Sequence, residues 1–356
     1  MRTPVTVGVV GLGDWGPRLV RIFDELPTAE LRWLCDESPA ALLRLQPRFP
    51  AAKTTVDIED LLADEELDAV VIATPAATHY RLARRAIDAE KHVLVETPLA
   101  LSGADSQDLV DRAERLDRRL MGAHVLLFHP AIRRLKELLD GGALGDVYYL
   151  RGSRLGLGKP RLDVGVVGDL GPHDVAAVLY LLGDEPVEVT ARGGQYGEAG
   201  VVDAAFCTLV FATGIQAYLH FSWLEPQRTR RLSVIGSDRM AVFDDLEVER
   251  QLTLCERLPA RRENEALGHG VSVGAGDLVC LRLPDDEPLR LECEHFLTGI
   301  RSSADIMIAG ARESASVVNV LEALQHSLDA NGRPEPVGGA DVATTVIQLP
   351  VFAPEA

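Results

Sequence analysis

The first third of the chain alternates two hydrophobic rhythms. Apolar β-type runs fall at residues 5–10, 31–35, 69–73, 92–95 and 120–124, each of a length that suits a strand buried on both faces. Between them the spacing lengthens to that of a helix. In residues 80–89, Leu82, Ala83, Ala86 and Ile87 share one face. In residues 102–116 the stripe is Leu109, Ala113 and Leu116, with Ser102 placed as the cap. Apolar strands separated by helices predict a parallel sheet covered on both sides, a Rossmann-type doubly wound α/β domain.

Beyond about residue 124 the pattern changes. A helix at 131–139 stops at Gly141-Gly142, and β-type segments follow at 147–154, 187–191, 204–211, 216–223, 231–235 and 240–243. One helix, 175–182, interrupts them, and helices at 291–300 and 314–330 close the chain. Residues 259–276 read as a loop. The second region is therefore an α+β domain with a large, mostly antiparallel sheet. The division expected is 1–123 and 124–356, with the last helix packing back on the first domain.

The first strand runs into GLGDWG, residues 11–16, and a helix follows. Gly11, Gly13 and Gly16 give the spacing that lets a chain turn tightly, approach a pyrophosphate and pack a helix on a strand. Leu12, Asp14 and Trp15 complete the loop. Asp36 ends the second strand, where a carboxylate accepts bonds from ribose hydroxyls and repels a 2′-phosphate, so NAD is expected in preference to NADP. ATPAATH, residues 73–79, and Glu96-Thr97-Pro98 each follow a strand, at the edge where open α/β sheets bind ligands. Thr74, Pro75, His79 and Glu96 are thus assigned to the nicotinamide side. The Thr97-Pro98 bond is a candidate for the cis form.

Hydride transfer from an alcohol needs a base for the hydroxyl proton. GDLGPHD, residues 168–174, offers His173 as that base, with Asp169 four positions earlier to orient it. Asp174 is either part of the same group or the cap of the next helix. His79, His124 and His129 are lesser candidates, and no His, Cys and carboxylate set has the spacing of a zinc site.

Composition narrows the partners. A net charge of −18 and a pI near 4.9 exclude nucleic acid and anionic membranes, which call for a basic surface. Five scattered cysteines, Cys35, Cys207, Cys255, Cys280 and Cys293, read as reduced thiols packed as small apolar groups. With neither a signal-type segment nor an apolar run of membrane length, a soluble cytoplasmic protein is expected. Only four lysines occur, Lys53, Lys91, Lys136 and Lys159.

In combination and order, VGVVGLGDWG, DAVVIATPAATH, KHVLVETPLAL, GGALGDV, GDLGPHD and EPLRLECEHF resemble the Gfo/Idh/MocA family of NAD(P)-dependent oxidoreductases. RLGLGK, GPHDVAAVLYLLG and HFSWLEP are most similar to the branch that oxidises a ring hydroxyl of sugars, the UDP-N-acetylglucosamine 3-dehydrogenase type. The resemblance implies an open-faced second sheet used for homodimer or homotetramer assembly, and a small sugar or nucleotide-sugar substrate held between the domains. It also implies a lysine after Glu96, where this chain has Thr97. Three readings of that change stand: His173 and Asp169 suffice for proton transfer; Lys159, in a glycine-rich loop, substitutes; or the chain uses NAD for a redox-neutral reaction or only binds ligand.

Overall fold

The computed structural model describes residues 4–158, 161, 163–197, 200–257, 261–263, 270–272, 275–302 and 304–338. The wound region comprises β1 (Val5–Val10), α1 (Gly16–Glu25), β2 (Ala29–Cys35), α2 (Pro39–Leu45), β3 (Lys53–Thr55), α3 (Ile58–Leu62), β4 (Ala69–Ile72), α4 (His79–Asp88), β5 (His92–Val95), α5 (Gly103–Arg115) and β6 (Leu120–Gly122). Its six strands lie in the order β3-β2-β1-β4-β5-β6, and every pair is parallel. Val7, Val9, Val70, Val71, Ile72 and Val93–Val95 are wholly buried, as strands covered on both faces require. Ser102 caps α5 by accepting a bond from Asp105 N at 3.1 Å. The edge strand β3 is too short and polar to register as an apolar run.

The chain continues through α6 (Pro130–Asp140), β7 (Val147–Leu155), α7 (Gly165–Leu182), β8 (Pro186–Gly194), β9 (Ala204–Phe211), β10 (Gln216–Ser222), β11 (Thr229–Gly236), β12 (Arg239–Asp244) and β13 (Leu252–Arg257). It ends with β14 (Arg261–Glu263), β15 (Gly270–Ser272), β16 (Ala275–Cys280), α8 (Pro288–Ser302), α9 (Ala311–Asp329) and β17 (Glu335–Pro336). Nine strands form one sheet in the order β16-β13-β12-β11-β7-β10-β9-β8-β17. All its pairs are antiparallel except β7 with β10, so the sheet is mixed. The segment expected to be a loop, 259–276, instead holds the paired strands β14 and β15 and the start of β16.

Two compact units result: Met1–His129 with Asp286–Glu322, and Pro130–Asp285 with the chain from Ala323 onward. In the first, α8 packs on α1 and on the short turn Val125–Phe128. In the second, α7 covers one face of the large sheet at β7, β9 and β10. Alternate residues project from the other face. Tyr149 meets Tyr218 edge-on, and Phe206, 63% exposed, stacks on His220 at 4.0 Å between centroids. Among the described residues no helix is long and apolar enough to cross a membrane.

Candidate functional site

The glycine turn is built for close backbone approach. Gly11 has φ 92°, the left-handed region that side chains disfavour, and a Cβ there would lie 2.5 Å from the Ala73 carbonyl. A Cβ at Gly16 would collide with the carbonyl of Gly11, whereas one at Gly13 would meet nothing within 4 Å. Gly11 and Gly16 are therefore required by the turn itself, and Gly13 leaves clear space at the start of α1. That space fits a phosphate group. Asp36 directs one oxygen at Leu12 N (2.6 Å) and the other at Ser38 N (2.8 Å). Each carboxylate oxygen keeps acceptor capacity for a ribose hydroxyl. Arg44 secures the same loop by donating to the Leu12 carbonyl at 2.8 Å.

The Leu12 side chain is fully buried, so only its backbone is open to a nucleotide. Asp14 and Trp15 are exposed, and the Arg18 guanidinium lies 4.7 Å from the Trp15 ring centre.

At the ends of β4 and β5, the two loops assigned to the nicotinamide side are joined. Thr78 Oγ1 donates to the Pro75 carbonyl at 2.7 Å. Its single hydrogen is thereby used, so Thr74 Oγ1 must donate to it across 2.7 Å. His79, 1% exposed, places Nε2 2.8 Å from the Thr74 carbonyl and Nδ1 2.7 Å from that of Pro98. The Thr97-Pro98 bond is cis. Thr97 N donates to Glu96 Oε2 at 3.3 Å.

The second constellation lies on α7. The sequence pattern starts that helix at residue 175, but it begins at Gly165 and contains Pro172. Asp169 and His173 thus lie one turn apart on the same helix face. Trp223 Nε1 donates to Asp169 Oδ2 at 3.0 Å, and an Arg161 nitrogen lies 3.6 Å from Oδ1. Burial pushes the Asp169 carboxyl above its usual range, against the opposing pull of Trp223 and Arg161. Sequence reasoning does not single out Trp223 or Arg161; the tryptophan within HFSWLEP, just after β10, is the available signal.

Asp174 is not a helix cap. It lies inside α7, 3% exposed, and takes a two-pronged bond from Arg154, with Nε at 2.7 Å and Nη2 at 3.2 Å. His124 is a core residue: neither ring nitrogen has a hydrogen-bond partner, and burial pushes its pKa down to about 4. His129 is likewise buried. Lys159 lies outside the described residues.

Glu292 on α8 lies within the EPLRLECEHF motif. It is fully buried, and neither carboxyl oxygen has a hydrogen-bond partner. Burial, reinforced by the Glu96 charge, holds its carboxyl well above the ordinary range.

Residues 5–124 match the model of an oxidoreductase family with an NAD-binding Rossmann fold, and residues 132–242 match the GFO/IDH/MocA C-terminal domain. A UDP-N-acetylglucosamine 3-dehydrogenase from Acidithiobacillus ferrooxidans is 30% identical over 89% of this chain and 96% of its own length. A myo-inositol 2-dehydrogenase from Thermotoga maritima is 29% identical over 67% of this chain and 69% of its own. The crystal structure of GenD2 from gentamicin A biosynthesis, in complex with NAD, superposes with a TM-score of 0.79. It is 26% identical and covers 95% of this chain and 97% of its own.

Proposed function

The chain belongs to the Gfo/Idh/MocA family of NAD(P)-dependent oxidoreductases, and we propose that it oxidises a ring secondary alcohol, at C3, of a sugar or nucleotide sugar in a biosynthetic pathway. It is an NAD(P)-dependent enzyme acting on CH–OH groups. NAD is the cofactor we assign, because the Asp36 carboxylate stands where a 2′-phosphate would be repelled. The bound nicotinamide supplies the hydride acceptor.

The observation that carries the reading is Asp169 and His173 one turn apart on α7, with the carboxylate held by Trp223 and Arg161. His173 takes the hydroxyl proton, and Asp169 orients and supports the imidazolium that forms. The Thr97 hydroxyl bonds the reacting oxygen, and Glu96, Thr74 and Pro75 shape the nicotinamide side. Lys159 is a further substrate-domain cation in this proposal. A second copy covers the aromatic face of the large sheet, giving a dimer or tetramer.

Incubation with NAD and a panel of sugars, nucleotide sugars and cyclitols tests the proposal, with NADH followed by absorbance. Net NADH on a nucleotide sugar is the expected result. Thr97 in place of lysine favours one other reading, a redox-neutral reaction on tightly held NAD. Product without net NADH would establish it. Binding with no product at all would leave a ligand-binding protein.

A further inference from the structure

His79 is buried and faces two acceptors. Nδ1 is 2.7 Å from the Pro98 carbonyl oxygen and Nε2 is 2.8 Å from that of Thr74. Neither oxygen carries a hydrogen, and a neutral imidazole has only one N–H. With one proton, one of these contacts would set a nitrogen lone pair against an oxygen lone pair at hydrogen-bond distance. Turning the ring over does not help, because it puts ring carbons at the same short separations from the oxygens. Only an imidazolium satisfies both contacts.

We propose that His79 is held as an imidazolium clamp, tying the loop after β4 to the loop after β5 through the carbonyls of Thr74 and Pro98. The assignment rests on the nicotinamide reading of these loops for its functional consequence, but not for its geometry. His79 is a positioning residue here: it acts on the cofactor through Thr74, Pro75 and the Glu96-Thr97-Pro98 strand end. It also supplies a fixed positive charge to a strand end where Thr97 supplies none.

The charged groups around α4 are few. Glu96 follows directly after β5, and its carboxylate favours a cation nearby, while β4 (Ala69–Ile72) and the turn Ala76–Thr78 contribute none. From α5, Asp108 and Arg112 face α4 but are engaged with each other, with Tyr80 and with Asp88. Lys91 and His92 lie at the opposite end of β5, where Lys91 donates to the Asp64 and Leu67 carbonyls. On α4 itself, Arg85 pairs with Glu59 and Arg84 with Asp88, and Arg81 is exposed.

Nitrogen-15 spectra of protein labelled at its nine histidines test the clamp, with the His79 signals identified by their loss in His79→Gln. The expected result is two protonated ring nitrogens for His79 from pH 6 to 8 in the cofactor-free protein. A single protonated nitrogen in that range overturns the proposal. Should the variant not fold, a neutron structure of the natural protein gives the same answer, two deuterons or one.

NADH titrations supply the functional arm. NADH affinity should fall about tenfold as His79 loses its proton, since one charged hydrogen bond is lost. His79→Gln should bind about tenfold more weakly at neutral pH, with no such step. An identical step in the variant would remove His79 from cofactor positioning. If the natural protein shows both protonated nitrogens yet binds no NADH at any pH, the nucleotide reading falls and the clamp stands.

Discussion

At the scale of single residues, the proposed reaction divides its chemistry between Thr97 and His173. A threonine hydroxyl can donate and accept one bond to a reacting alcohol, but it places no charge beside a developing alkoxide. Thr97→Lys is therefore expected to raise kcat by about tenfold or more on any substrate the protein oxidises, read as NADH release under saturating conditions. No gain on a substrate that still binds would show that this position does not limit the reaction. For His173→Asn, the expectation is a loss of roughly a hundredfold or more in kcat, with NADH affinity unchanged. Turnover at the natural rate would take His173 out of the proton path.

At the scale of elements, α7 shows what packing adds to a local pattern. Gly165, Gly168, Gly171 and Pro172 all discourage a helix, so the sequence signal begins only at residue 175. Burial of Val166, Val167 and Gly171 outweighs those preferences and carries the helix back to Gly165. The extension puts Asp174 in the helix interior, opposite Arg154 on β7. Removing one member of a buried pair leaves the other charge unpaired, so Asp174→Ala should cost about 3–5 kcal/mol in urea unfolding. The double change Arg154→Met with Asp174→Leu should recover most of it. If the single variant unfolds like the natural protein, the pair is not structurally important.

The wound sheet was far more legible than this. Its central strands β1, β4 and β5 are mainly apolar, and glycine spacing, capping and strand length all point the same way there. Gly11, Gly16, Asp36 and Ser102 take the structural places that their types and spacing suggest. Three kinds of feature were hidden. The edge strand β3 is short and polar, the strands within 259–276 carry little apolar signal, and the partners of Asp169 and Asp174 are remote in sequence. Contacts such as Trp223 with Asp169 leave no periodicity to detect.

At the scale of the whole molecule, buried titratable groups set opposing pH limits in the first unit. His124 and His92 are both pushed down to about 4 from an ordinary 6.5, chiefly by burial, with Arg118 and Arg119 adding to the effect on His92. Each stays neutral in the folded state while the unfolded chain takes up a proton. Their contribution is complete above pH 6.5 and is lost as pH falls toward 4. Glu292 works in the other direction. Its raised pKa means the folded state holds a proton that the unfolded chain releases, so stability declines as pH climbs from 4.5 toward the folded value. A plot of urea midpoint against pH should accordingly peak and then decline. His124→Leu should soften the acid limb, and Glu292→Gln should flatten the alkaline one. An unchanged profile in both would mean that other groups set the limits.

The three tryptophans divide the molecule in a way that suits spectroscopy. Trp15 is 40% exposed on the glycine turn beneath the Arg18 guanidinium. Trp33 donates to Asp64 at 2.7 Å at the outer part of the wound sheet. Trp223 is tied to Asp169. Each indole therefore reports on a different event through its own emission: dinucleotide arrival, edge-strand opening, and ionisation of the α7 carboxylate. Tryptophan emission overlaps the absorption of a reduced nicotinamide, so Trp15 would act as an energy donor to a dinucleotide bound at the glycine turn as proposed. Trp→Phe variants that leave one indole at a time would turn the chain into its own set of optical probes, without an attached dye.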